Sequence, residues 1–201
     1  MRPSAITTAV ATLLLTTLCW ATWVKGPEPA QLSGVSGAEG SQQSALSTNG
    51  PYYALRSFKF WDYDQRLCVI EASQSSFNAE SVTPAGTIKI CEQSLGAAWK
   101  AVDLGAGRFV TAVQVCTQKA APDEQRVRGV RLWGSVVDTD GKIKPKGEPV
   151  SFEFPDCKKW QPKKSCPKGT VAVGLKAHHA DAAKGLLGIE LSCQSVVQQK
   201  E

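Results

Sequence analysis

Residues 160–193 read WQPKKSCPKGTVAVGLKAHHADAAKGLLGIELSC. Two short apolar runs, TVAVGL from Thr170 and GIELSC from Gly188, are bounded by a Cys-Pro-Lys-Gly cluster and a polar loop. Alternation with period two, closed by Gly and Pro, is a strand pattern. It recurs upstream in IKIC (88–91), FVTAVQVC (109–116), VRGVRLWGSVV (127–137) and VSFEF (150–154), and GIELSC runs on as GIELSCQSVV to Val197. Turn clusters separate these runs, among them DTDGK (138–142) and KPKGEP (144–149). No window carries a helical stripe over three turns, so the domain is predicted to be all-β.

The same stretch is an echo of an earlier one. GRFVTAVQV from Gly107, then RVRGVRLWGSVV from Arg126, match GTVAVGLKA from Gly169, then GLLGIELSCQSVV from Gly185. Gly107 falls on Gly169, Val113 on Leu175, Gly129 on Gly188 and Leu132 on Leu191, with Trp99 and Trp160 preceding the two copies. The shared order implies an internal repeat.

The copies differ in their cysteines. Cys19 sits in an apolar N-terminal run, leaving Cys68, Cys91, Cys116, Cys157, Cys166 and Cys193. An even number in an exported chain predicts disulfides, and no C-x-x-C pair offers a zinc site. Leu104 and Gly134 stand where the first copy would carry the counterparts of Cys166 and Cys193. Loss of both together predicts a Cys166–Cys193 bond, a staple worth about 3 kcal/mol in the chain-entropy account. Cys68–Cys91 and Cys116–Cys157 complete the simplest arrangement.

Trp160, Cys166, Pro167, Gly169, Leu175, Gly188, Ile189, Leu191 and Cys193, in this order, resemble one repeat of the vitelline membrane outer layer protein I family. The resemblance covers 160–193 well, 99–134 in part and 51–98 hardly at all. It implies the same Cys166–Cys193 bond and a disulfide-stapled β-prism, three Greek-key sheets about a pseudo-threefold axis. The family's acidic loop is replaced by HADAAKGLL (179–187), in which only Asp181 echoes it. Fold is therefore the firmer implication, since a fold does not by itself define a function.

At the N-terminus, Arg2, an apolar run and a small residue at Ala21 describe a signal peptide over 1–24, with an uncleaved membrane anchor as the alternative. Residues 25–50 are rich in Gly, Ser, Pro and Gln, and the expectation is a flexible linker. The folded domain is expected over 51–197, with a tail at 198–201.

Chemistry-bearing motifs are few. No G-x-S-x-G and no Ser/His/Asp arrangement occurs. His178 and His179, the only histidines, would face opposite ways on a strand and are expected on a surface loop, with no metal and no cofactor. DTDGK begins like a calcium loop, but Pro149 holds the place of the twelfth-position acid, so a hairpin turn is expected. FKFWDYDQR (58–66), as a strand, would put Trp61 and Tyr63 on one face and Asp62 and Asp64 on the other. Flat rings and carboxylates are the means of holding a sugar, and a carboxylate pair is also what a glycosidase uses. Lys158, Lys159, Lys163, Lys164 and Lys168 make a candidate polyanion patch. Between Lys142 and Lys168 lie eight lysines and three acids, a net of +5 equal to that of the whole chain.

The sequence thus predicts a secreted or extracytoplasmic β-prism-like domain without catalysis. It would bind glycans, another extracellular polymer or polyanion, or serve in a coat, and would not read nucleic-acid sequence. A membrane enters only through an uncleaved anchor. The rivals are a carbohydrate-active enzyme built on the carboxylates and a protein-binding module such as an inhibitor.

Overall fold

The structure is a computed structural model and describes residues 22–91, 98–118, 125–180 and 185–199. Among them are sixteen strands and no helix. In chain order they are β1 (Thr22–Lys25), β2 (Gln31–Leu32), β3 (Ser36–Gly37), β4 (Gln42–Ser47), β5 (Tyr53–Tyr63), β6 (Arg66–Ser76), β7 (Val82–Lys89) and β8 (Ala98–Asp103). There follow β9 (Phe109–Thr117), β10 (Val127–Val137), β11 (Ile143–Pro145), β12 (Val150–Glu153), β13 (Lys159–Trp160), β14 (Lys164–Ser165), β15 (Thr170–His179) and β16 (Leu186–Gln199).

Three long antiparallel hairpins, β5–β6, β9–β10 and β15–β16, form the centres of three sheets. In the first sheet the order is β7-β6-β5-β8, the Greek-key order in which the fourth strand returns beside the first. The second sheet repeats it: β11 and β12 flank β10, and β13 and β14 flank β9. In the third, β4 flanks β15 while β1, β2 and β3 flank β16. The N-terminal arm thus supplies the outer strands of this sheet.

The repetition extends to the bulges. Each first strand of a hairpin carries one extra residue near its start: Arg56, Thr111 and Val173. Each second strand carries one too: Cys68, Arg128 and Leu187. Such bulges bend and twist a hairpin, and here they curl each one alike. Counting from them, the cross-strand pairs Phe58–Ala72, Val113–Leu132 and Leu175–Leu191 are equivalent. So are Phe60–Ile70, Val115–Val130 and Ala177–Ile189. All twelve side chains are at most 2% exposed and meet in one core. Each large aliphatic or aromatic one contributes about 1.5–3 kcal/mol by leaving water. The repeat seen in the sequence is present, with a third copy in residues 53–76 that the sequence does not display.

The expected linker is not one. Within 25–50 lie part of β1 and all of β2, β3 and β4. The arm orders with few apolar contacts, chiefly Trp23 and Leu46, because its backbone completes sheet ladders and its hydroxyls serve as further partners. Ser33 N donates to Leu191 O and Ser33 Oγ accepts from Leu191 N, both at 3.0 Å. Ser36, fully buried, donates from Oγ to Pro162 O and accepts from Val115 N, clipping the third sheet to the second. Trp23 is held by Asn78, whose Oδ1 accepts from Trp23 N at 2.7 Å while its Nδ2 donates to Trp23 O at 2.9 Å. The Trp23 ring lies against Gly141 in the β10–β11 turn. At the far end β16 runs to Gln199, which pairs with Thr22, so Gln198 and Gln199, expected in the tail, belong to a strand.

Three disulfides close: Cys68–Cys91, Cys116–Cys157 and Cys166–Cys193, with Cα separations of 5.0, 5.7 and 5.5 Å. The third ties the second sheet to β16 of the third.

Candidate functional site

The carboxylates of FKFWDYDQR do not form a pair. Strand β5 ends at Tyr63, and Asp64 and Gln65 take φ of 48° and 59° to make a two-residue turn into β6. Asp64 is therefore an exposed turn residue, 3.4 Å from Arg66. Asp62 points inward, like Phe58 and Phe60 before it. There it accepts from Arg128 Nη1 at 2.9 Å, while Arg128 Nε reaches both oxygens of Asp156 at 2.8 Å. Arg128 is only 3% exposed and lies 4.2 Å over Phe154. Asp62 is thus committed to a buried ion cluster joining the first sheet to the second.

The aromatic residues of the same strand behave differently. Trp61 stands opposite Trp99 of β8, and Lys59 Nζ lies 4.2 Å from one ring and 4.6 Å from the other. Trp99 is 52% exposed. Tyr63 is removed from this group, with Arg66 at 5.7 Å from its ring.

The lysine patch is dispersed. Lys158 and Lys159 are exposed beside Thr117 at one end of β9. Lys164 runs alongside Gly34 of the N-terminal arm. Lys163 and Lys168 converge instead on a cleft of about 380 Å³ at the other end of the second sheet. Its floor is Ala112 and Gly134, with Trp133 and Ile143 among its walls and the Cys166–Pro167–Lys168 turn at its rim. Lys163 Nζ sits 4.3 Å over the Trp133 ring. The hydroxyls of Thr111 and Ser135, 3.2 Å apart, also line it. Sequence reasoning missed Trp133, Thr111 and Ser135. Their signal was present only as outward positions of β9 and β10, which period two marks without saying which of them meet a neighbouring loop.

The histidines are buried at the end of β15, not on a surface loop. His178 Nε2 is 3.7 Å from Glu190, which also pairs with Lys176 at 3.6 Å. His179 Nε2 is 3.0 Å from Ser44 Oγ of β4. Burial lowers the pKa of His179 below 6.5, and the neighbouring His178 lowers it further. DTDGK is a hairpin turn: Asp138 Oδ1 accepts from the backbone N–H groups of Asp140 and Lys142. Lys144, 2.7 Å away, holds the Asp138 carboxyl below its usual range. Asp181 and the leader, with Cys19 and Ala21, lie outside the described residues.

No protein-family model and no curated protein matches this chain. Solved structures do. The Calsepa lectin in complex with a bisected glycan is 11% identical, with 82% of this chain and 97% of that one covered at a TM-score of 0.51. The same lectin with a biantennary N-glycan gives 12% identity, 85% and 99% coverage and a TM-score of 0.49. A mannose-specific jacalin-related lectin from Morus nigra gives 14%, 84%, 97% and 0.46. The chain has the β-prism fold.

Proposed function

We propose that this is a non-catalytic carbohydrate-binding β-prism module acting outside the cell, with its ligand held in the cleft beside Trp133. The observation that carries this is the composition of that cleft: an indole wall, two lysines, four hydroxyl-bearing residues (Thr111, Ser135, Ser165 and Thr170) and no carboxylate among its lining residues. An indole covers the apolar face of a sugar ring, while hydroxyl and ammonium groups meet its oxygens. Lys163, on a flexible stem, swings aside as a ring takes its place over Trp133 and keeps its charge within reach. Support for a non-enzymatic role comes from Asp62, committed to Arg128, and from Asp64, out in the turn. The Calsepa lectin holds a bisected glycan on the same fold.

Action outside the cell is supported by the leader-like residues before Thr22 and by three disulfides, which persist in oxidising compartments. Kinship with the vitelline membrane outer layer protein I family is supported by the order Trp160, Cys166, Pro167, Gly169 to Cys193 and by the Cys166–Cys193 bond.

A glycan array at low salt, followed by calorimetry on the best ligand, tests the proposal. At least one saccharide should bind, and Trp133→Ala should weaken it about tenfold, as loss of an aromatic stacking partner does. If no saccharide binds, or Trp133→Ala binds unchanged, the cleft is not a sugar site.

A further inference from the structure

The pseudo-threefold arrangement makes the three outer faces comparable position by position. At the centre of the first, Lys59 stands opposite Glu71 and pairs with it at 3.7 Å. At the equivalent place on the third, Lys176 stands opposite Glu190, at 3.6 Å. On the second sheet the same two places hold Gln114 and Arg131. Arg131 donates to Gln114 Oε1 at 3.5 Å, lies 4.1 Å over the Trp160 ring and has no carboxylate partner among the described residues. Two faces thus carry a neutral ion pair where the third carries an uncompensated guanidinium.

The neighbours of Arg131 extend this asymmetry. Arg131 on β10 reaches across β9 to Trp160, and Lys163, from the far side of β9, reaches back to Trp133 on β10. Arg131 and Trp133 are two positions apart along the strand, so both project from the outer face. Trp160, Arg131, Trp133 and Lys163 therefore alternate ring and cation across it, and Lys168 continues the charge at the rim of the cleft.

We propose that the outer face of the second sheet is a track for an acidic polysaccharide, its uronate carboxylates or sulfates meeting Arg131, Lys163 and Lys168 while its rings lie on Trp160 and Trp133. This rests on the carbohydrate reading of the cleft and adds to it the charge and the polymeric form of the ligand. The division of labour is physical. Rings select a saccharide over other polyanions by stacking, and cations select an acidic saccharide over a neutral one. The planar guanidinium matches a carboxylate in a way that a lysine does not.

The test uses the full secreted protein with its disulfides intact and four probes: oligogalacturonates of increasing length, heparin, neutral manno-oligosaccharides and inorganic polyphosphate. Oligogalacturonates should bind more tightly with length, and their affinity should fall steeply between about 50 and 200 mM salt. Oligogalacturonate over heparin assigns the charge to carboxylates, and the reverse order to sulfates. The paired change Gln114→Lys with Arg131→Glu installs the neutral pair of the other two sheets and should weaken the acidic chains about tenfold. Lys163→Gln with Lys168→Gln, at exposed positions, should weaken them to a similar degree without lowering the melting temperature. If neutral oligosaccharides bind as well as acidic ones and both paired variants leave affinity unchanged, the acidic track is wrong and the carbohydrate site stands. If polyphosphate binds as tightly as oligogalacturonate and Trp133→Ala affects neither, the face is a bare polyanion surface. If no saccharide binds at low salt, the carbohydrate reading itself falls.

Discussion

His179 shows how a single side chain can couple the fold to pH. It closes β15 beside β4, its ring bonded to Ser44, and burial makes its charged form unfavourable. The unfolded chain takes up a proton on this ring near the ordinary value of 6.5, while the folded chain resists until a lower pH. As pH falls below 6.5 the unfolded state therefore gains protons first, and stability falls until the folded ring also titrates. Above that window the ring is neutral in both states and contributes no pH dependence. Chemical denaturation of the wild type and of His179→Gln should show the difference in stability shrinking as pH drops from about 7.5 to about 5, near the histidine range. A constant difference would mean that His179 does not titrate differently in the two states. Arg128 makes the complementary point about legibility. Alternation with Val130 and Leu132 puts Arg128 on the inner face and Arg131 on the outer one, but it cannot show what holds a buried guanidinium, because Asp156 and Asp62 lie 28 and 66 residues away.

At the level of elements, strands inside the hairpins are legible because both their faces obey simple rules. FVTAVQVC and VRGVRLWGSVV coincide closely with β9 and β10, while TVAVGL is the first part of β15, which runs on to His179. The N-terminal arm is illegible for the opposite reason. Its strands lie at sheet edges and bury little of their own, so their composition matches that of a disordered segment. In this arm small residues mean close approach: a Cβ at Gly40 would overlap the His179 backbone. Gly40→Ala should therefore lower stability by about 1–3 kcal/mol, the cost of overpacking. Gly50→Ala is the control, since nothing lies within 4 Å and only its φ of +72° opposes a side chain, worth about 1–2 kcal/mol. Equal melting temperatures for wild type and Gly40→Ala would mean that the arm is not docked as described. A count of strands gives the clue composition conceals, because two Greek keys are complete between Tyr53 and Ser165 while the third hairpin lacks its flanks.

For the molecule as a whole, the sequence echo joins two of three sheets because both use Gly and Leu at matching places. The first sheet meets the same geometry with Phe58 and Ala72 where the others have Val113 with Leu132 and Leu175 with Leu191. What is shared across the prism is the burial of each layer and the placing of the bulges, and neither leaves a motif of letters. The same comparison exposes the basic outer face, since Arg131 gains meaning only beside Glu71 and Glu190.

The pairing of Thr22 with Gln199 brings the first and last described residues side by side, and the prism is in effect a closed ring of three units cut at one place. Joining those two residues by a short linker and opening the chain at Gly50–Pro51, both exposed, would set the units in tandem, each hairpin followed by its own flanking strands. That permuted chain should fold to the same far-ultraviolet spectrum and a similar melting temperature. Failure to fold would mean that order of synthesis matters, and that the arm must be present before β16 arrives. Success would make the natural order one of several equivalent ways to cut the same circle.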